Sequence, residues 1–257
     1  MNNVLLAFRQ VRYENRAFWR NPQAAFFIFL FPLLFLFVFN TMFGNSDIDA
    51  PGGTINGSTF YVPAIIALSV IFACYNNVAI SVSVARDQGI LKRVRGTPLP
   101  AGVYIAGRIA HATLIAVLLV VIVVAVGRVI YNVEVPTNTL PAFLVTLVVG
   151  AACFCSMGLA VTTVIGNADA ANAVVNASML PLLFISDVYV PSSNTPNWLT
   201  AIANVFPVKH FAAALHTSFS PFETGAGFDY GHLFVMALWG VAAAFVATRF
   251  FSWEPRR

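Results

Sequence analysis

Long apolar segments dominate this 257-residue sequence and restrict what it can fold into. Residues 24–43 contain no charged side chain, and comparable segments follow at about 60–84, 103–126, 140–165, 170–190 and 231–251. About 20 apolar residues in a helix cross the hydrocarbon core of a bilayer. Only 9% of the residues are charged, against about 25% in soluble globular proteins. The sequence therefore predicts an all-α integral membrane protein with six transmembrane helices.

The positions of the basic residues predict how these spans are oriented. Segment 199–219 has the length of a span, but Pro207, Lys209, His210 and His216 interrupt it. With six spans, eleven of the 14 Lys and Arg residues lie on the cytoplasmic side, as the positive-inside rule favours. They are residues 9, 12, 16, 20, 86, 92, 93, 95, 249, 256 and 257. We expect a multi-pass inner (cytoplasmic) membrane protein with both termini cytoplasmic.

The first 23 residues have the pattern of an amphipathic helix that lies along the membrane surface. Four arginines at spacings of three and four share one face, and apolar residues cluster on another side. The basic face is formed by Arg9, Arg12, Arg16 and Arg20, and the apolar side by Val4, Phe8, Val11, Phe18 and Trp19. This helix faces anionic lipid headgroups or a partner, or it only anchors the first span. We divide the chain into this helix, 1–23, and a six-span domain, 24–257.

A charged island at 85–100 separates the second and third spans. It places five charges within ten residues, namely Arg86, Asp87, Lys92, Arg93 and Arg95. Ile90, Leu91 and Val94 fall on one side of a short helix, which Gly96 and the following Thr-Pro pair end. Such a helix on the cytoplasmic face offers a surface to a partner.

The run RDQGILKRVRGTPL at 86–99 resembles the coupling segment of permeases of type-2 ATP-binding-cassette (ABC) exporters. It is most similar to that of the daunorubicin-resistance-type drug and lipid exporters. The resemblance implies re-entrant helices before the last span and a separate ATPase chain that uses ATP and Mg. It also implies a second permease copy or a sister permease. It assigns coupling to Arg86, Asp87, Gly89, Leu91, Lys92, Arg93, Val94, Thr97 and Pro98.

Within this coupling segment we expect Leu91 to be the main apolar contact with the ATPase. Arg86, Asp87, Lys92 and Arg93 would form charged contacts around it. One departure from the family occurs further along the chain, where Asp187 stands in a position at which glycine is commoner.

Side chains on the second and fifth spans predict a substrate pathway. Amides at mid-membrane depth need partners, and Asn172 and Asn176 share a helix face. The predicted pathway residues are Phe72, Tyr75, Asn76, Asn77, Asn172, Asn176 and Met179. They are aromatic, apolar or amide, without a basic residue, which favours a hydrophobic or amphipathic drug, lipid or polyketide-like compound. Alternatively, the amides only hold helices together. Arg108, in the third span, is expected to extend to the interface.

Other functions remain open at this point. The alternatives are a permease for polysaccharide or lipid-linked glycan export, an ATP-independent secondary transporter, and an intramembrane enzyme or assembly factor that uses the Asn pairs or Asp187. The sequence lacks GxxxxGK[ST], HExxH and GxSxG, so we expect no catalysis and no cofactor in this chain. Nor do we expect a metal site or nucleic-acid binding. Cys74, Cys153 and Cys155 lie in apolar runs, and His210 and His216 are candidates to be neighbours on the outer surface.

Overall fold

The structure, a computed structural model, describes residues 3–50, 52–97, 99–186, 188–189 and 196–254. Pro98, Asp187, Arg256 and Arg257, which the sequence interpretation used, lie outside this range. The elements, in chain order, are α1 (Asn3–Trp19), α2 (Pro22–Phe43), β1 (Asp47–Ala50), β2 (Gly53–Asn56), α3 (Gly57–Ile71), a π-helical turn (Phe72–Asn76), α4 (Asn77–Asp87), α5 (Ile90–Arg95), α6 (Ala101–Tyr131), α7 (Leu140–Val161), α8 (Ala168–Phe184), α9 (Asn197–Ala203), α10 (Pro207–Phe219) and α11 (Tyr230–Phe250).

Five helices in the described part of the chain are long and apolar enough to cross a membrane. They are Ala25–Phe43, Gly57–Asp87, Gly102–Tyr131, Leu140–Val161 and Tyr230–Phe250. These five match the predicted first, second, third, fourth and last spans. The protein is thus an all-α multi-pass membrane protein apart from one small hairpin.

The predicted fifth span is shorter in the structure than in the sequence interpretation. Helix α8 has 17 residues and ends at Phe184, although the apolar segment was expected to continue to residue 190. At 1.5 Å per residue its length is about 25 Å, below the roughly 30 Å of the hydrocarbon core. Pro181 in its last turn removes one backbone donor, which weakens the helix there.

Helices α3 and α4 and the π-helical turn between them form the continuous central helix of the bundle. Its apolar side chains are buried because α2, α6, α7, α8 and α10 all pack against it. The π-helical turn interrupts the ordinary i to i−4 hydrogen-bond pattern at Phe72–Asn76. Three of the predicted pathway residues, Phe72, Tyr75 and Asn76, lie within this turn.

Gly158 of α7 allows close contact with the π-helical turn. A Cβ atom at this position would lie 2.8 Å from the carbonyl oxygen of Tyr75 and 3.2 Å from that of Cys74. Backbone atoms cannot rotate away as a flexible side chain can. Only glycine therefore fits without moving one helix.

We expect Gly158→Ala to lower the free energy of unfolding by about 1–3 kcal/mol, the usual cost of overpacking a tight core. Gly166→Ala is the matched control, because a Cβ there meets nothing within 4 Å. Denaturant unfolding in detergent micelles measures both. Equal stability of the two variants would contradict the close packing of α7 on the π-helical turn.

A β-hairpin follows α2, in the polar segment between the first two predicted spans, where the sequence interpretation proposed no strand. Strands β1 and β2 pair antiparallel, with Asp47 opposite Asn56 and Ile48 opposite Ile55. Gly52 and Gly53 have φ angles of 102° and 151°, which glycine adopts readily and residues with a side chain rarely adopt. The Pro-Gly-Gly sequence between two short runs was a hairpin signal that the interpretation missed.

Helix α1 packs along α6, consistent with the predicted amphipathic helix. Gly107 of α6 makes room for Gln10, since a Cβ at Gly107 would lie 2.4 Å from the Cγ atom of Gln10. The predicted basic face is exposed. Phe8, however, is also exposed, and Trp19 is half exposed although its ring stacks on that of Phe29 at 5.8 Å. The apolar side of α1 therefore has more surface than its contact with α6 covers.

Two short helices, α9 and α10, precede α11, in the region where the resemblance implies re-entrant helices. Helix α10 is the better buried of the two. Its Phe211 is fully enclosed, with its ring 5.4 Å from that of Phe154, and it fits against Gly150 of α7. This packing fixes α10 to the transmembrane helices although its 13 residues are too few to cross a bilayer.

Candidate functional site

The coupling segment forms a sharp turn followed by a six-residue helix. Gly89 has a φ of 70°, and it begins α5 with a left-handed conformation that glycine adopts without strain. At the other end, the hydroxyl of Thr97 donates to the carbonyl oxygen of Val94 at 2.7 Å. Lys92, Arg93 and Arg95 are exposed. The segment therefore presents a basic surface.

Leu91 does not occupy the position that the sequence interpretation gave it. Its side chain is 0% exposed and belongs to the core of this chain, whereas Ile90 is 39% exposed. A helix as short as α5 needs an apolar residue facing its own bundle, and Leu91 with the half-buried Val94 fills that need. The prediction that Leu91 contacts the ATPase is wrong for this arrangement, because Leu91 is inaccessible to another chain.

Arg86 is a second correction, because it was expected at the rim of a partner contact. Its side chain is 1% exposed. The guanidinium Nη1 donates to the carbonyl oxygen of Thr162 at 2.7 Å, and Nη2 donates to that of Ile165. Thr162 caps the C-terminal end of α7, where a helix leaves carbonyl groups without internal partners, and Ile165 lies in the turn that follows. The positive charge of Arg86 also interacts favourably with the negative end of the α7 helix dipole.

Asp87 remains exposed, but it also contacts this chain. Its Oδ2 accepts a hydrogen bond of 3.3 Å from the backbone amide of Ala168, the first residue of α8. Arg86 and Asp87 thus hold the two ends of the turn that connects α7 with α8. The charged surface left for a partner consists of Lys92, Arg93 and Arg95.

A cavity of about 620 Å³ lies among α1, α2, α4, α6 and α8. Five of the seven predicted pathway residues line it, namely Phe72, Asn76, Asn77, Asn172 and Asn176. Its apolar wall includes Phe18, Phe27, Ile28 and Phe31. The ring of Phe31 lies 5.1 Å from that of Phe72. The cavity therefore combines aromatic surface with several amides.

Two predicted pathway residues are in the core instead. Met179 and Tyr75 are both buried. The hydroxyl of Tyr75 lies 2.6 Å from the Oγ of Ser178. The expected helical periodicity would have turned Tyr75 toward the cavity, but the π-helical turn shifts that register. The Tyr75–Ser178 bond joins the central helix to α8 instead.

The amides are partly paired with each other. Asn76 Nδ2 donates to Asn176 Oδ1 at 3.5 Å, across the interface between the central helix and α8. The Oδ1 of Asn76 is buried and has no hydrogen-bond partner among the described residues. An unsatisfied buried acceptor costs free energy unless a ligand or water fills it. The amides hold helices together and also leave one acceptor available.

The sequence that forms this cavity and the coupling segment is similar to known sequences. Residues 8–219 match the profile of the ABC-2 type transporter family, which covers α1 to α10, the coupling segment and every wall of the cavity. The chain belongs to the ABC-2 type transporter family. The resemblance read from residues 86–99 is confirmed by this match.

Two relatives of this ABC-2 chain have names that describe permeases. It is 27% identical over 153 residues to the probable multidrug ABC transporter permease YbhR of Escherichia coli (strain K12). That alignment covers 59% of this chain and 41% of the relative. It is 26% identical over 207 residues to the daunorubicin resistance ABC transporter permease protein DrrB1 of Streptomyces coeruleorubidus, covering 77% of this chain and 69% of the relative.

An ion pair in the cavity wall of this ABC-2 chain was missed by the sequence interpretation. Arg108 Nε lies 3.1 Å from Glu14 Oε1, and its Nη1 donates to the Oγ of Ser81 at 3.1 Å. Gln10 donates to the same Glu14 oxygen at 2.8 Å. Arg108 was expected to extend to the membrane interface, but it pairs with α1 instead. The signal lay in a basic residue on a span and an acidic one on the interfacial helix.

His111 adds another polar group to the same wall. Its ring packs against Phe18 at 5.5 Å, and its Nε2 is buried without a hydrogen-bond partner among the described residues. With Asn76, it gives the cavity two buried polar atoms available to a bound molecule. Neither sits on a charged group, so the wall is polar at these points without a net charge.

The histidines near the starts of α10 and α11 are arranged differently from the prediction. His210 does not pair with His216: its ring lies 5.0 Å from that of His232, while His216 stacks on Phe60 at 4.5 Å. His232 Nδ1 in turn lies 2.7 Å from Asp229 Oδ2. Among the described residues, no three His, Cys, Asp or Glu side chains form a metal-binding group. This cluster links the start of α10 to the start of α11.

Burial lowers the pKa of His210, and the neighbouring His232 and Lys209 lower it further, against the opposite effects of the Asn204 carbonyl and Asp229. Burial raises the pKa of Asp229, but hydrogen bonds from the side chain and backbone of His232 outweigh it and leave the pKa below its usual range. Both groups therefore favour their deprotonated forms in the folded protein. Protonation opposes folding in both cases.

We expect stability to fall as the pH drops below about 6.5, the ordinary pKa of histidine. In that range the unfolded chain takes up a proton at position 210 that the folded chain resists. Thermal unfolding in detergent between pH 7.5 and 5 measures this slope, and His210→Gln should flatten it. An unchanged slope in His210→Gln would contradict the assignment.

Proposed function

We propose that this chain is the transmembrane permease subunit of an ABC exporter for hydrophobic or amphipathic compounds. A separate ATPase subunit, with bound ATP and Mg, supplies the energy, and this chain performs no catalysis itself. The observation that carries the proposal is the cavity of about 620 Å³, which combines aromatic rings with amides beside the coupling segment. The names of the two relatives, which refer to multidrug transport and daunorubicin resistance, support a drug or lipid-like cargo.

The lining of the cavity favours this cargo over a polysaccharide. Rings or acyl chains pack on Phe27, Phe31 and Phe72, while polar parts of the molecule meet Asn76 and His111. Among the described wall residues the one Lys or Arg side chain, Arg108, already pairs with Glu14. A polyanionic glycan would need more unpaired positive charge.

The exposed face of the coupling helix supports a contact with the ATPase. Ile90 is the exposed apolar residue of the helix, at the edge of the cavity, and the exposed Lys92 and Arg93 follow it in the same helix. An apolar anchor within a charged rim is the usual composition of a binding hot spot. Movement of the ATPase would then be transmitted as a rigid-body displacement of the central helix. Two permease copies, or this chain and a sister permease, enclose the pathway within the lipid bilayer.

The topology that we propose has six spans, with α8 as the fifth and both termini in the cytoplasm of an inner-membrane protein. Helices α9 and α10 enter from the outer side without crossing. Single cysteines at Ser46, Gln88 and Ser252 test this arrangement through a membrane-impermeant thiol reagent. We expect labelling of position 46 in intact cells, and of positions 88 and 252 only after permeabilisation. Labelling of position 252 from outside would contradict six spans.

The function itself is tested with the permease and its co-purifying ATPase in proteoliposomes. We expect daunorubicin and other lipophilic aromatic drugs to stimulate ATP hydrolysis, and polyprenyl-linked glycans to have no effect. Asn76→Leu should reduce the stimulation several-fold. Asn138→Leu is the matched control, because Asn138 is an exposed loop residue outside the cavity. Stimulation by glycans alone would overturn the proposed cargo.

A further inference from the structure

The first two charged residues of the coupling segment are directed at their own chain. Arg86 is buried and donates to two carbonyl oxygens, those of Thr162 and Ile165. Asp87 accepts from the backbone amide of Ala168. Thr162 caps the end of α7, Ile165 lies in the turn that follows, and the amide of Ala168 begins α8. Adjacent residues at the end of α4 therefore bind both sides of one cytoplasmic turn.

These bonds are specific rather than incidental. A buried guanidinium is costly unless its donors are satisfied. Arg86 meets that requirement with the carbonyl of Thr162, which the end of α7 leaves free, and with that of Ile165 in the following turn. Asp87, in turn, supplies an acceptor to one of the first amides of α8, and a carboxylate is favoured at that positive helix end. Each bond answers a need that the α7–α8 turn cannot meet by itself.

Helix α8 also has contacts with the central helix further into the membrane. The hydroxyls of Tyr75 and Ser178 are 2.6 Å apart, and Asn76 donates to Asn176. Asn172 and Asn176 of α8 line the cavity. Any displacement of α8 therefore changes the shape of the cavity wall.

We propose that Arg86 and Asp87 are positioning residues that make the α7–α8 turn move as one body with the coupling helix. A displacement of α5 by a partner then displaces α8 through the turn, and the cavity wall that α8 forms moves with it. Arg86 and Asp87 act through this turn and do not themselves contact the ATPase or the cargo. The inference rests on the proposed function only for the source of the displacement.

The first test needs no ATPase, so that it can fail independently of the proposed function. Spin labels at Arg95→Cys and Asp169→Cys, both exposed positions, report the distance between the coupling helix and the start of α8. The native cysteines are all buried. In nanodiscs we expect one narrow distance distribution for the otherwise unchanged permease. With Asp87→Ala it should broaden at least twofold, and Asp87→Asn, which keeps a side-chain acceptor, should restore it.

The second test uses the complete complex in proteoliposomes and measures molecules transported per ATP hydrolysed. We expect Asp87→Ala to lower this ratio at least fivefold while it leaves basal ATP hydrolysis within twofold, and Asp87→Asn to recover it. Arg86→Lys, with fewer donors in its head group, should act like Asp87→Ala. Asp169→Ala is the charge-matched control, since it removes a nearby carboxylate from the same end of α8.

The outcomes separate the two ideas. An unchanged distance distribution in Asp87→Ala, or an unchanged transport ratio, would overturn the positioning role. Equal loss of ATP hydrolysis and transport would also overturn it, because that result would make Asp87 a contact with the ATPase. Absence of any ATP-driven transport by the unchanged complex would overturn the proposed function and leave the distance measurement to decide this inference.

Discussion

Leu91→Ala is expected to lower the free energy of unfolding by about 2–5 kcal/mol, as other fully buried leucines do when truncated. Leu91 is 0% exposed and packs in the main core of the chain. The truncation leaves a cavity beneath the coupling helix, which α5 is too short to fill by shifting. Denaturant unfolding of the purified permease in detergent measures the loss. Any weakening of ATPase binding should be secondary to it.

Ile90→Ala is the neighbouring control with the opposite expectation. Ile90 is 39% exposed, so the folded permease should keep nearly its full stability. Its binding to the ATPase should weaken by about 2 kcal/mol, or roughly 30-fold in the dissociation constant, as for a truncated hot-spot residue. If Leu91→Ala instead left stability unchanged and released the ATPase, Leu91 would be the contact residue after all.

Removing one member of the Glu14–Arg108 pair is expected to cause the second large loss of stability. The two side chains are 12% and 13% exposed, so either one left alone is a charge with little access to water. Breaking such a buried pair typically costs about 3–5 kcal/mol, whereas replacing both members with apolar residues is often nearly neutral. We therefore expect Arg108→Met and Glu14→Leu each to be strongly destabilising. The double variant should be more stable than either.

A double-mutant cycle, measured by unfolding in detergent, gives the interaction energy of this pair. Arg128→Met is a suitable control, because Arg128 is an exposed arginine at the other end of α6. Strictly additive effects of the two single changes would contradict a direct pair between α1 and α6. Loss of the pair should also free α1 from the cavity wall, so drug stimulation of ATP hydrolysis should fall with it.

Much of the fold followed from composition and periodicity. Segments such as 24–43 and 231–251 have no plausible soluble conformation, so their length and apolar character were enough to predict spans. The short helix at 90–95 followed from the Gly89 and Gly96 boundaries, and α1 from the arginine spacing. Such features depend on nearby residues in the sequence. They do not require knowledge of which helices meet.

The errors share a physical cause, since each depended on long-range packing. The sequence of a six-residue helix does not decide whether Ile90 or Leu91 faces the bundle, because either residue fits an apolar face. Arg86 was interpreted as exposed because its acceptors, near residue 162, are distant in sequence.

The cavity shows the same pattern. Its amides were predictable as polar groups at mid-membrane depth. The burial of the Tyr75 side chain was not predictable, because a π-helical turn has no clear sequence signature. The contribution of Glu14 and Arg108 required α1 to lie beside α6. The hairpin at 47–56 is different, since its Pro-Gly-Gly signal was local and was overlooked.

The most direct test of ATP-driven drug export by this chain is uptake of a fluorescent lipophilic drug into inside-out membrane vesicles. We predict uptake that requires ATP and both the permease and the ATPase. It should fall at least fivefold with Asn76→Leu and stay unchanged with Asn138→Leu. Uptake of the same size in vesicles without the ATPase, driven by a proton gradient alone, would contradict this account and identify a secondary transporter.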